Sequence, residues 1–250
     1  MPLASPSPYL TRHTRPGRPA RRLVCFPHAG GAASFYRPWA PYTDPATELL
    51  AVQYPGRENR FREPLIPTMD PLTSAVAEEL LALPPLPTVF FGHSMGAAVA
   101  YETLLRLDQA GAAAHITRLC VSGRSPDDFA GPAVRTDDDV VEAVRSLGGT
   151  HAEVLDDPDM RELLLPAIRN DYHLIDGYRR RSDAPPLRVD VHALTGDRDP
   201  RVTPEAMAGW SALTSGSFTL TVLAGDHFYL VPATERVARI AMEPVEPLPV

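Results

Sequence analysis

The sequence predicts an α/β fold, with a mostly parallel central sheet flanked by helices, and three observations predict it. Short runs rich in β-branched and aromatic residues alternate with longer stretches of helical periodicity, the sequence form of a parallel sheet covered on both faces. One of these runs, Val89-Phe90-Phe91, passes directly into Gly92-His93-Ser94-Met95-Gly96 and then into a helix-forming stretch. The chain is 250 residues long and 44% hydrophobic, enough for one core of this type with a small insertion.

Residues 1–19 are rich in Pro, Ser and Arg and lack a periodic apolar face, so they are expected to form a flexible tail. Residues 20–250 are expected to form a single domain. Strands are predicted at residues 22–26, 49–53, 88–91, 116–122, 189–194 and 218–223. Helices are predicted at residues 71–83, 95–110, 203–213 and 232–241, where apolar residues recur at helical spacing. Thr203-Pro204-Glu205 supplies an N-cap followed by a first-turn proline. The alternation fails between about residues 127 and 186, which carry two helical patterns (139–147 and 158–178) with no strand between them. That marks an insertion and a candidate lid, with Gly148-Gly149 as its expected flexible point.

Composition excludes several chemistries. The formal charge of −7 and pI near 5.6 offer no clustered basic footprint for phosphates, so nucleic acid is not an expected partner. All 24 basic residues are arginine, which rules out a Schiff-base lysine, a Walker lysine and a Ser-Lys dyad. Cys25 and Cys120 lie in short apolar runs and are expected to be inert core thiols. No apolar window reaches membrane-spanning length, and the arginines near the N-terminus precede no secretory apolar region. A soluble, cytoplasmic monomer is expected, with neither metal nor cofactor.

The chemistry centres on Gly-x-Ser-x-Gly. In a nucleophile elbow the serine sits on a strained strand-to-helix turn, and the flanking glycines avoid collisions with the neighbouring strand and helix. This makes Ser94 the candidate nucleophile of an α/β-hydrolase fold. The helix behind it places the Met95 amide where it can bind an oxyanion. A second donor is expected from the loop after an early strand, and Phe26-Pro27-His28-Ala29-Gly30-Gly31 occupies that place, with Ala29 as the candidate amide and His28 as a residue that could fix the loop. The fold's order of nucleophile, acid and histidine selects the base. His227 follows the last predicted strand, in a loop at a strand's carboxyl end, where open α/β sheets place their sites. The acid is expected in Thr195-Gly196-Asp197-Arg198-Asp199-Pro200, where either Asp197 or Asp199 could orient the histidine.

These motifs, together with Gln53-Tyr54-Pro55-Gly56-Arg57, Leu147-Gly148-Gly149, Leu165-Pro166-Ala167-Ile168-Arg169-Asn170-Asp171 and Gly225-Asp226-His227-Phe228, resemble the stand-alone type II thioesterases of polyketide and nonribosomal peptide biosynthesis. The resemblance extends over nearly the whole chain. It implies Asp199, immediately before Pro200, as the triad acid, and leaves Asp197 as a turn residue. It further implies a helical lid over an acyl pocket, with His28, Ile168, Tyr172 and Phe228 binding substrate and Leu163, Leu164 and Ile175 as further lining. The implied partner is a separate acyl or peptidyl carrier protein bearing phosphopantetheine-linked acyl groups. An acidic carrier would need a local basic patch, for which Arg57, Arg60, Arg62 and the Arg179-Arg180-Arg181 run are candidates. The same triad would equally serve a carboxylesterase or lipase acting on oxygen esters, or an acyltransferase. A non-catalytic carrier-binding protein is the reading from a different class.

Overall fold

The computed structural model describes residues 9–127, 136–147 and 153–243. Apolar runs form strands β1 (Leu10–Arg12), β2 (Arg21–Phe26), β3 (Thr47–Val52), β4 (Thr88–His93), β5 (Ile116–Ser122), β6 (Asp190–Gly196) and β7 (Phe218–Leu223). They pair into one sheet in the order β1-β3-β2-β4-β5-β6-β7, with every neighbouring pair parallel except β1 with β3. The alternation of side chains along each strand divides the interior into two layers. Val24, Phe26, Phe90 and Val121 face a core closed by helices α1 (Met69–Leu81) and α2 (Met95–Gln109). Leu23, Cys25, Phe91 and Cys120 face a second core, closed by the 3-10 segment Ala33–Tyr42 and the C-terminal helix Thr234–Met242. Both cysteines are free and fully buried. Burial pushes both thiols up, Cys120 to about 12, so neither is a nucleophile.

The expected tail needs correction. Leu10–Arg12 pairs with β3 as an edge strand, the Thr14 hydroxyl donates to Thr47 O at 2.7 Å, and Tyr9 lies under the Arg60 guanidinium, 3.7 Å away. A three-residue edge strand carries no apolar period of its own, because its partner supplies the order. The predicted helix at residues 203–213 is split into α5 (Pro204–Ala208) and a 3-10 segment, Gly209–Leu213. Thr203 caps it by accepting from Ala206 N, and Pro204 occupies the first turn.

The insertion holds α3 (Asp137–Ser146) and α4 (Pro158–Gly177). Thr136 and Asp139 form a reciprocal capping box on α3. The Asp157 carboxylate caps α4. Val140, Val141, Leu155, Leu165, Ile168 and Tyr172 form a small apolar cluster between these helices. One turn further along α4, Leu174 and Ile175 belong instead to the main core. Leu174 and Ile175, near the end of α4, thus belong to the body, whereas Leu165, Ile168 and Tyr172 pack with α3. Gly148-Gly149 lies outside the described residues.

Candidate active site

Ser94 joins β4 to α2 with φ 54° and ψ −119°, a left-handed conformation that a side-chain-bearing residue adopts only when its surroundings enforce it. The surroundings do so sterically. A Cβ on Gly92 would lie 2.2 Å from Gly96 O, and one on Gly96 would lie 2.0 Å from Phe26 O and 2.6 Å from Pro27 O. The Ser94 amide donates to Ser122 O at 2.8 Å, anchoring the turn to β5. Met95 begins α2, so its N–H precedes the point at which an i−4 carbonyl within the helix can accept it.

His227 and Asp199 come from the loops after β7 and β6. His227 Nδ1 lies 2.8 Å from Asp199 Oδ2, and both side chains are buried. A carboxylate only accepts, so Nδ1 carries the proton and Nε2 is left as the basic nitrogen. Arg201 N donates to the other carboxylate oxygen at 2.8 Å, fixing the acid's orientation. Asp197 takes the other role open to it: its Oδ1 accepts from Gly225 N at 2.8 Å, tying the two loops together. Behind His227 lies His93, with ring centroids 4.8 Å apart. Burial drives His93 well below the usual imidazole range, with the neighbouring His227 and His28 acting in the same direction, so His93 is neutral. A buried hydrogen-bond chain runs from its Nδ1 to Ser122 Oγ (2.9 Å) and on to Tyr229 OH (2.7 Å).

The loop after β2 is held in a tight turn. Gly31 N donates to His28 O at 2.9 Å, and Gly30 N donates to Asp171 Oδ2 at 2.8 Å. Ala29 N donates no hydrogen bond among the described residues. The buried His28 ring packs edge-on against Phe35 and Phe228, under the turn.

Ser94, His227, Ala29, Met95, His28, Ile168, Tyr172, Ile175 and Phe228 all line one cavity with about 1050 Å³ of empty space, its open mouth included. The walls are mainly apolar and aromatic, as is usual for a small-molecule site. Leu163 and Leu164 do not line it. Leu163 is 45% exposed on the outer face of α4, turned away by the helical period, whereas Leu164 shares the face of Ile168 one turn nearer the N-terminus and packs against the apolar cluster between α3 and α4. Arg57 and Arg60 fail as docking residues because both are buried. Arg57 pairs with Asp171, and Arg60 donates to Gln53 O at 2.8 Å and to Glu63. Arg62 and Arg181 are exposed, and Arg179 reaches the cavity mouth. Arg124 and Arg201 also line the cavity and were not legible in the sequence, since isolated arginines in loops carry no local signal.

A thioesterase-domain family model matches residues 21–243. The chain is 41% identical over 231 residues to the "Probable cadicidin biosynthesis thioesterase" of Streptomyces griseus, covering 92% of this chain and 63% of that protein. It is 36% identical to the phenyloxazoline synthase MbtB of Mycobacterium tuberculosis over 93% of this chain and 16% of that protein. The chain therefore spans less than two thirds of the length of these curated relatives. Among solved structures, the type II thioesterase BorB from the borrelidin biosynthetic cluster superposes with a TM-score of 0.83 at 39% identity, covering 94% of this chain and 96% of that one. RedJ, a thioesterase of the prodiginine pathway of Streptomyces coelicolor, gives a TM-score of 0.83 at 34% identity, covering 98% and 91%. The chain has the α/β-hydrolase fold of these structures and belongs to the thioesterase family.

Proposed function

We propose that this chain acts as a type II thioesterase, hydrolysing acyl groups from the phosphopantetheine arm of a carrier protein in polyketide or nonribosomal peptide biosynthesis. One observation carries the reading. A serine on a strained elbow and a buried, carboxylate-paired histidine open into the same apolar cavity, in a chain similar along nearly its whole length to a type II thioesterase.

In this reading Ser94 Oγ attacks the thioester carbonyl while His227 Nε2 takes its proton, and Asp199 stabilises the resulting imidazolium. The Ala29 and Met95 amides receive the oxyanion. Collapse of the tetrahedral intermediate breaks the C–S bond, His227 returns the proton to the departing thiol, and the acyl group remains on Ser94. Water, deprotonated by His227, then hydrolyses that ester and frees the acid. His28, Ile168, Tyr172 and Phe228 line the acyl site, and the exposed Arg62, Arg179 and Arg181 are the candidates to meet an acidic carrier, whereas Arg180 is half-buried and faces Asp127.

The test is deacylation of a phosphopantetheine carrier protein bearing a short acyl group, beside the matching oxygen ester. The wild-type protein should release the acyl group rapidly, and Ser94→Ala should lose several orders of magnitude in turnover. Cleavage of the oxygen ester alone would replace the carrier role with an esterase. Hydrolysis of neither would favour a carrier-binding protein, or an acyltransferase without its acceptor.

A further inference from the structure

Among the described residues, one buried ion pair ties the insertion to the segment after β3 and, through it, to the 28–31 turn. Arg57 and Asp171 are 114 positions apart and form a two-pronged pair, with Nη1 to Oδ2 at 2.6 Å and Nη2 to Oδ1 at 2.9 Å. Their side chains are 7% and 3% exposed. Burial works against the Arg57 charge, and the Asp171 carboxylate outweighs it, so the guanidinium stays charged. Neither group stops at the other. Asp171 Oδ2 also accepts from Gly30 N at 2.8 Å, and Arg57 Nη1 also donates to Gly31 O at 3.0 Å.

We propose that Asp171, acting with Arg57, is a positioning residue for the oxyanion site: it holds the 28–31 turn so that the Ala29 N–H faces the reacting carbonyl. The inference rests on the functional reading above.

The peptide geometry gives the reason. His28 C=O and Ala29 N–H belong to one planar trans peptide and point in opposite directions. The Gly31 N to His28 O bond turns that carbonyl into the turn, so the Ala29 N–H points out of it, and Ala29 itself lines the cavity. This arrangement persists only while Gly30 keeps its φ of +77°. The carboxylate holds the Gly30 amide and the guanidinium holds the Gly31 carbonyl, so the pair grips the turn from both sides of that residue. It also occupies the Gly30 amide, which would otherwise be a competing donor. Ile168, one turn earlier on α4, closes the remaining space, because a Cβ on Gly30 would lie 3.0 Å from its Cγ1. From the other side, Gln53 Oε1 accepts from Ala33 N (2.7 Å) while its Nε2 donates to Arg57 O (3.0 Å). Charge-assisted bonds to a preorganised loop leave no reorganisation to be done as the oxyanion forms.

The experiment compares wild type, Asp171→Asn, and the double variant Arg57→Met with Asp171→Leu, which leaves no lone buried charge. Turnover and KM are measured on the acyl carrier, alongside affinity for two analogues. A trifluoromethyl ketone adds to Ser94 and places an oxyanion in the site, whereas an amide in place of the thioester reports ground-state binding alone. Loss of the positioned donor should lower kcat and trifluoromethyl ketone affinity together by roughly 100- to 1,000-fold. KM and amide affinity should stay within about threefold, since neither depends on an oxyanion. A folded double variant with wild-type kcat, or a shift in KM and amide affinity with kcat intact, would overturn the proposal. Wild-type activity is measured first. Its absence on every ester sinks the hydrolase reading itself, while activity on oxygen esters alone leaves the comparison intact, because the oxyanion is the same.

Discussion

Helix α4 is attached to the protein in two contrasting ways. Toward the body it offers the buried Asp171 to Arg57 and sets Leu174 and Ile175 into the main core. Toward α3 it offers Arg161 to Asp138 and Arg169 to Asp137, exposed pairs in which the Asp138 side chain is 91% exposed. The geometries are similar, with N to O distances of 2.6 Å for Arg57–Asp171, 2.6 Å for Arg161–Asp138 and 2.8 Å for Arg169–Asp137. Their energetic consequences are not. A solvated pair contributes roughly 0–1 kcal/mol, because water competes and two long side chains must be ordered. A buried pair can be replaced by apolar residues at little cost, yet removing one partner strands a charge. The same helix is therefore held to the body by a buried ion pair and core residues, and to α3 by a small apolar cluster whose surrounding ion pairs are solvated.

The largest test of this contrast is Arg57→Met alone, which leaves the Asp171 carboxylate buried without its counter-charge. It should lower stability by about 3–5 kcal/mol, read as a reduced urea midpoint by fluorescence of the buried Trp39 and Trp210. A loss below about 1 kcal/mol would mean that water reaches the pair and that the two attachments are alike.

Acid should probe the body more than the insertion. Burial lowers His192 to about 4, and His93 is held well below its usual range by burial and by its neighbours. Because the folded-state values lie below those of the unfolded chain, the unfolded state takes up protons first. The stability is complete above about pH 6.5 and falls as the pH drops from there toward 4. The urea midpoint should therefore fall between pH 7 and pH 5. His192→Gln should flatten part of that slope while keeping a polar partner for Thr221, whose hydroxyl lies 2.9 Å from His192 Nε2. An unchanged slope would assign the acid sensitivity elsewhere.

The smallest effect belongs to the exposed seam. Asp137→Asn and Asp138→Asn should each change stability by no more than about 1 kcal/mol, with the difference shrinking further in high salt. A larger, salt-insensitive loss from either would show that the α3 attachment resembles the buried one.

The elbow was legible in the sequence because its chemistry is local. Gly92, Ser94 and Gly96 are close in the chain, and the clashes that demand glycine arise within one strand-to-helix turn and its neighbouring strand. His227 was legible through chain order and a strand end. The choice between Asp197 and Asp199 was not settled by local pattern, since both sit in one polar loop. In the structure Asp199 meets the imidazole and Asp197 meets Gly225 N. The β1 edge strand and the burial of Arg57 and Arg60 were misread for a related reason. A three-residue strand and an arginine beside a glycine look like tail and surface until their partners are known.

By itself the sequence determined the alternation of strands and helices, the nucleophile turn and the apolar runs of the central strands, because period, glycine placement and side-chain volume act over a few residues. Only the tertiary structure decided which charges are buried, which face of α4 looks into the cavity, and which amides of the 28–31 turn are already taken. Those outcomes depend on contacts between residues far apart in the chain, such as Gly30 with Asp171 and Arg57 with Asp171. A buried arginine and a solvated one are written with the same letter, and only the partner that excludes water distinguishes them.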